Sequence, residues 1–372
     1  MDHPIGRSWE GATARPARTD ESAGPFTGRI ESVGLKLPKR RLSTKDLLDS
    51  CPHRPRVDLE RLTGIRERRV CGEGEDSFTL AVDAAWDCLA HSDHGPEDIE
   101  MVVSCSITHY REDLSLQIEP SMSFGIKEAI GADRALSFDV GNACAGMMTG
   151  VAIVENFIRR GVIRRGMVVS GEYISSISDN GAREVRSILS KQLASLTVGD
   201  AGAAVILERA ERGEAGIEAW EFVTHAEHNR LCIGSPCKTA PGAAMFTKPR
   251  KLHDVAIKAA MPPIARVLAS CGLDIRDIDH TIPHQTSKRA IRAGTAHMKN
   301  VLGALPRNII CNVEEVGNTA STSHFVALYR HLEEGTFESG DRIMLLVYAS
   351  GLVVGCLVFT IDELVEKYGR HH

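Results

Sequence analysis

A chain of 372 residues that is 43% hydrophobic, 25% charged and 5% aromatic has the balance of a soluble globular protein, with apolar material for one two-lobed domain or two ordinary ones. A formal net charge of -5, with no Lys/Arg block interleaved with aromatics, leaves nucleic-acid binding without support. The longest apolar stretches, 343–348 and 352–359, are too short and too interrupted to span a bilayer.

In chain order, the opening 25 residues mix Pro, Gly, Arg and acids without a hydrophobic signal core, so a flexible tail is expected over 1–26. Strand-like apolar runs follow at 28–35, 101–107, 135–140, 167–171 and 203–207. Between them, 77–92 and 145–160 carry apolar residues at three-and-four spacing, and the second pattern stops at Gly161 as a helix C-terminus should. A second set of runs lies at 216–223, 281–282, 308–312, 342–348 and 352–359, with helices near 255–271 and 323–334. The alternation repeats, which predicts an N-terminal half over 27–212 and a C-terminal half over 213–372. Each half would supply a mainly parallel sheet covered by its crossover helices. Two stretches fit this scheme poorly, 175–196 and the Pro, Gly and Lys-rich 226–251, and both are expected to act as lids or surface excursions.

The ten cysteines contain no CxxC pair and no repeated ligand spacing, which argues against zinc and for a reducing, cytoplasmic compartment. Cys105 and Cys356 sit inside apolar runs, where a thiol acts as a small buried hydrophobe. Cys144 differs. The segment SFDVGNACAGMMTGVAIVENFIRRG puts it just past a strand and at the start of an apolar helix, among Gly and Ala. Unpaired N–H groups and the helix dipole there would favour a thiolate, and small neighbours would admit a carbonyl. His284, in DIDHTIPHQTSKRA, follows a strand that leads into a helix, and Asn318, in EEVGNTASTSHF, sits on a turn into another. Taken singly, Cys144 reads equally as a buried structural thiol, His284 as a satisfied core ring and Asn318 as an N-cap. Three such residues at strand-to-helix junctions form a constellation. The run YASGLVVG (348–355) turns between two apolar strands, so an N–H near Ser350 could join that of Cys144 at an oxyanion, or form a plain hairpin.

TGIRERRV (63–70), DVGNACAG (139–146), LTVGDAGAAVIL (196–207), PHQTSKR (283–289), VGNTAS (316–321) and GDRIMLL (340–346) resemble landmarks of the ketoacyl-ACP synthase III branch of the thiolase superfamily, in order over roughly residues 28–360. The resemblance implies a thiolase fold: α/β, two duplicated βαβαβ-type halves in a layered α-β-α-β-α arrangement. It also implies a Cys144, His284 and Asn318 triad, with acyl-CoA or acyl carrier protein thioesters as substrates and no further cofactor. A homodimer, or a heterodimer with a paralogue, is implied as well. IEPSMS (118–123), HNRLCIG (228–234) and SGL (350–352) are most similar to the subgroup that joins two acyl chains head to head in olefin and β-lactone pathways. In that subgroup Glu119 would be carried into the partner subunit's site, and Arg289 matches a residue that engages the carrier. Two departures stand out. Asp58 takes the place of a tryptophan that stacks on the adenine of CoA, and the stretch from His284 to Asn318 is a few residues longer than usual.

Acyl transfer to Cys144, then Claisen condensation assisted by His284 and Asn318, would give a β-keto product. Glu119 would serve as base for an unactivated donor, whereas a malonyl donor loses CO2 and needs none. Three rivals share these residues: an acyltransferase to an alcohol or amine, a papain-like hydrolase with the same Cys, His, Asn order, and an inactive structural partner. ACAG lacks the local protease pattern, and an intact triad marks the active member of a pair.

Overall fold

The computed structural model describes residues 17–18, 26–211 and 214–369. The N-terminal half runs through β1 (Ala17–Arg18), β2 (Phe26–Lys36), β3 (Arg41–Ser43), α1 (Thr44–Asp49), α2 (Leu59–Thr63), β4 (Glu67–Arg69) and α3 (Ser77–Ala90). It continues through β5 (Met101–Ser104), α4 (Met122–Ile130), β6 (Leu136–Asp139), α5 (Gly146–Arg159), β7 (Arg165–Glu172), α6 (Ser175–Glu184) and β8 (Ala201–Glu211). The C-terminal half contains β9 (Ile217–Thr224), β10 (Cys232–Pro236), β11 (Ala243–Thr247), α7 (Pro249–Cys271), β12 (His280–Pro283) and α8 (Lys288–Leu302). It closes with β13 (Asn308–Ile309), α9 (Val313–Val316), α10 (Ser323–Glu333), β14 (Arg342–Ala349) and β15 (Val353–Thr360).

Two main sheets form, ordered β2-β8-β7-β5-β6 and β1-β9-β15-β14-β12-β13. Both are mixed rather than mainly parallel. Only β5 with β6 and β7, and β12 with β13 and β14, run parallel, because β14 and β15 are joined by a three-residue turn that forces an antiparallel return. Most of the expected tail lies outside the described residues, but Ala17 and Arg18 pair with Phe222 and Glu221 and so add a strand to the C-terminal sheet.

Alternation along the strands builds the layers. Ile343, Leu345 and Val347 of β14 face inward onto a core shared with Val103, Val168 and Val205 of the other sheet and with α5 and α10. Met344 and Leu346 point the opposite way onto α7, while Val102, Met167 and Val169 pack under α3 and α4. The order is therefore helices, sheet, α5 with α10, sheet, helices, the layering that the resemblance implies. α5 is apolar nearly all round because it is enclosed on both sides, and its one buried acid, Glu155, pairs with Arg159 at 2.7 Å and accepts from Trp220 Nε1 at 3.2 Å.

The two expected lids have structure of their own. The 175–196 stretch contains α6, with Ser175, Ile177 and Asn180 buried; within it only 186–189 is fully exposed as a run. The 226–251 stretch holds the β10–β11 hairpin and the first turn of α7, which begins at Pro249 instead of near 255. Strand 308–312 shortens to Asn308–Ile309. Among the described residues no helix is long and apolar enough to cross a membrane.

Candidate active site

Cys144 stands in a short turn, Ala143–Ala145, between β6 and α5. Two glycines let α5 press against the chain leaving β5: a Cβ at Gly146 would lie 2.7 Å from the Cys105 carbonyl oxygen, and one at Gly150 would lie 2.6 Å from Val168. Ala143 is held at φ 45°, a left-handed conformation that costs an alanine on the order of 1–3 kcal/mol and is tolerated where surrounding packing imposes it. The turn packs against β14, β15 and the turn Ala320–Thr322. On one side the sulfur adjoins an apolar wall of Tyr110, Ile174, Ile177, Val198, Ala243 and Ala320.

Unlike buried Cys105 and Cys356, Cys144 is only half-buried as a residue. Its thiol is nevertheless pushed above the ordinary cysteine range, first by burial and then by the neighbouring Cys232 and Glu172, while its own N–H acts in the opposite sense. The expected thiolate at a helix tip is thus corrected. One N–H does not offset the desolvation, and the sulfur must lose its proton as it reacts.

His284 leaves the end of β12 and its N–H donates to Leu346 O of β14 at 2.8 Å. Its Nδ1 meets Ser323 Oγ at 2.7 Å, which leaves Nε2 as the ring atom available to a substrate. Burial, then His324 and His253, lowers this ring to about 3, so it is neutral near pH 7. His324, stacked at 5.7 Å, points its Nε2 at the same Leu346 O, 2.9 Å away.

Asn318 is fixed from both flanks. Its N–H donates to Thr197 O at 2.9 Å, and its carbonyl accepts from Gly199 N at 3.0 Å. Gly317 before it has φ 69°, and a side chain there would meet Thr197 O at 2.9 Å. Asn318 Oδ1 accepts from Ala320 N at 3.1 Å, which turns the amide nitrogen outward as a donor. Thus the turn that carries Cys144 packs on β14 and on the 320–322 turn that follows Asn318, and β12, which ends at His284, pairs with β14.

The other expected residues lie at different distances from this group. Ser350, half-buried in the β14–β15 turn, acts to lower the Cys232 thiol, which in turn raises that of Cys144. Arg289 is exposed on the first turn of α8, close enough to His253 to lower that ring's pKa. Glu119 is exposed on the loop before α4, outside the group around β14. A cavity of about 350 Å³ near that loop is lined by Phe78, Tyr110, Arg111, Gln117, Pro120 and Met122, and shares Tyr110 with the wall beside Cys144. Asp58 caps α2, accepting from Arg61 N at 2.9 Å. Residue patterns missed Ser323, His324, His253 and Glu172. An acid inside the apolar strand MVVSGEY was the one signal that could have drawn attention to Glu172.

Known proteins share this architecture and sequence. Residues 138–227 match the 3-oxoacyl-[acyl-carrier-protein] synthase III model and 268–361 the C-terminal model of that family. The chain belongs to the 3-oxoacyl-[acyl-carrier-protein] synthase III branch of the thiolase superfamily. As a member of that branch it is a carbon–carbon bond-forming, acyl-transferring enzyme. The β-ketoacyl-[acyl-carrier-protein] synthase III of Rhizorhabdus wittichii is 28% identical over 328 residues, covering 88% of this synthase and 97% of that protein. The Symbiobacterium thermophilum enzyme is also 28% identical, with 88% and 96% covered. Among solved structures, a cysteine variant of Xanthomonas campestris OleA has a TM-score of 0.78 at 23% identity, covering 92% of this synthase and 100% of that chain. FabH from Pseudomonas aeruginosa has a TM-score of 0.76 at 23% identity, covering 90% and 98%. Both structural likenesses share the thiolase fold with this synthase. Further OleA structures carry single substitutions at a glutamate and at a histidine of that protein, and one holds lauric acid and lauroyl-CoA.

Proposed function

We propose that this synthase joins two acyl thioesters head to head at carbon, through an acyl-enzyme on Cys144. The observation that carries the proposal is the arrangement around β14, in which Ser323 ties back His284 Nδ1 and Ala320 ties back Asn318 Oδ1. Each tie leaves an N–H of that side chain available to donate, and a shared space for the two beside Cys144 is part of the proposal. In the first step Cys144 Sγ bonds the acyl carbonyl carbon, the thiol proton ends on the departing thiolate, and CoA or the carrier leaves as a thiol. The Cys144 N–H and an N–H near Ser350 support the oxyanion. In the second step His284 Nε2 and Asn318 Nδ2 donate to the donor thioester oxygen as enolate charge develops, each worth on the order of 3 kcal/mol. The enolate carbon attacks the Cys144 thioester and releases a β-keto product. The substrates are the only cofactor-like groups this chemistry requires.

An unactivated acyl donor needs a base, and Glu119 is proposed to act from the partner subunit. Its exposure supports this, as do exposed Leu116, Ile118 and Phe124 around it and Leu136 on β6, a sheet edge with no strand beyond it among the described residues. A dimer of this chain, or of this chain with a paralogue, would cover that surface. Exposed Arg289 is proposed to engage the carrier, and ten cysteines that form no disulfide support a reducing, cytoplasmic setting.

Intact-mass measurement with lauroyl-CoA tests the first step: an acyl adduct on the native chain and none on Cys144→Ala is expected, and an equal adduct on both would refute it. Product analysis tests the second, since transfer to an alcohol or amine would give an ester or amide instead of a β-keto compound. Glu119→Gln should stop condensation of two lauroyl groups while a malonyl donor still reacts. Retention of both would remove Glu119 from the mechanism.

A further inference from the structure

Glu172 ends β7 and is completely buried, yet among the described residues no cation pairs with it. Its Oε1 accepts from Ile107 N at 3.0 Å, from Ser170 Oγ at 3.3 Å and from Ser321 Oγ at short distance. Its Oε2 accepts from Thr108 N at 3.3 Å and Thr108 Oγ1 at 3.2 Å. Ser321 and Ser170 also meet each other at 2.8 Å. Five donors aimed at one carboxylate form a network spanning both halves of the molecule, since Ser321 is the only member from the C-terminal half.

Ser321 lies in the turn Ala320–Thr322, and that turn holds both donors of the site. Ala320 N fixes Asn318 Oδ1 on one side, and on the other Ser323 Oγ fixes His284 Nδ1. Ala320 is at φ 54°, so the turn is held in a conformation that an alanine resists, and an anchor is needed to keep it there. The turn also packs on the one that carries Cys144.

We infer that Glu172 is a positioning residue for condensation: its carboxylate holds the 320–323 turn through Ser321 and so sets the donor directions of Asn318 and His284. This rests on the condensing function proposed above. The titratable groups that feel its charge are the thiols of Cys105 and Cys144, and its hydrogen-bond partners are hydroxyls and backbone N–H groups. Burial raises the Glu172 carboxyl to about 7, so its charge, which raises the proton affinity of Cys144, is present above that pH and lost below it.

Two full-length variants separate the two effects. Glu172→Gln removes the charge, whereas Ser321→Ala removes only the link to the turn. Both should slow β-keto product formation from the preformed Cys144 adduct by roughly tenfold to a hundredfold, the usual effect of misplacing catalytic donors by about an ångström. Only Glu172→Gln should move the pH midpoint of Cys144 alkylation by iodoacetamide, and it should move it downward, because a nearby negative charge disfavours a thiolate. Native condensation rates in both variants, or an unshifted alkylation midpoint in Glu172→Gln, would overturn the inference. Absence of any adduct on the native chain would defeat the acyl-enzyme proposal instead. The variants' crystal structures then decide this one: a displaced 318–323 turn supports it, and an unmoved turn overturns it.

Discussion

Replacing Gly146 by alanine tests whether the seat of Cys144 is set by backbone packing. The added methyl would stand 2.7 Å from the Cys105 carbonyl oxygen, where ordinary contact begins near 3.4 Å, so it falls short by about 0.7 Å. That oxygen belongs to the chain leaving β5, whose Cys105 N is held by Val169 O at 2.8 Å, so it has little room to retreat. The first turn of α5 must withdraw, and the turn carrying Cys144 moves with it. Overpacking of this kind costs about 1–3 kcal/mol. A shift approaching an ångström at the nucleophile lowers the acylation rate by up to about a hundredfold. Urea unfolding measures the first effect, and time-resolved intact mass with lauroyl-CoA the second. A Gly146→Ala protein with native stability and native acylation rate would refute the argument that close approach places the sulfur.

Acid stability should reflect two opposed sets of buried groups. His284 and His324, lowered to about 3 and about 4, refuse a proton that the unfolded chain accepts near 6.5, so stability falls as pH drops below 6.5. Glu172 and Asp200, raised to about 7 and about 6, take protons that the unfolded carboxyls accept only near 4.5 and 3.8, so they add stability as pH drops through the same window. Urea midpoints should therefore change little between pH 7 and 5 in the native chain and fall more steeply in Glu172→Gln; parallel profiles would contradict these assignments. Glu155→Ala should cost about 3–5 kcal/mol by leaving the Arg159 guanidinium buried and uncompensated, and a loss below 1 kcal/mol on denaturant unfolding would contradict this. Leu136→Arg, on the exposed edge strand, should shift sedimentation toward the monomer with little change in thermal stability, and an unchanged oligomer would argue against pairing through β6.

The layered fold was legible in sequence because its strands and helices carry their burial patterns locally. Thus α5 was recovered to within a residue at each end, and β14 and β15 to within one. Strand direction was not legible. Whether β8 runs with or against β7 depends on how the intervening α6 segment returns to the sheet, and apolar spacing carries no such information. Cys144 and Asn318 stood out through the Gly-flanked turns that hold them, and His284 through its place between an apolar strand and a helix. The groups that orient them, Ser323, His324 and Glu172, did not, because a serine, a histidine or one acid in a strand becomes informative only beside its partner.

The sequence by itself determined that strands and helices alternate along the chain and which residue types stand at three strand-to-helix junctions, since periodicity and turn chemistry are properties of neighbours in the chain. The protonation of the site was decided by the tertiary structure alone. Enclosure by both halves raises the Cys144 thiol and strips His284 of its charge, and solvent exclusion of that kind arises only when residues more than a hundred positions apart are packed together.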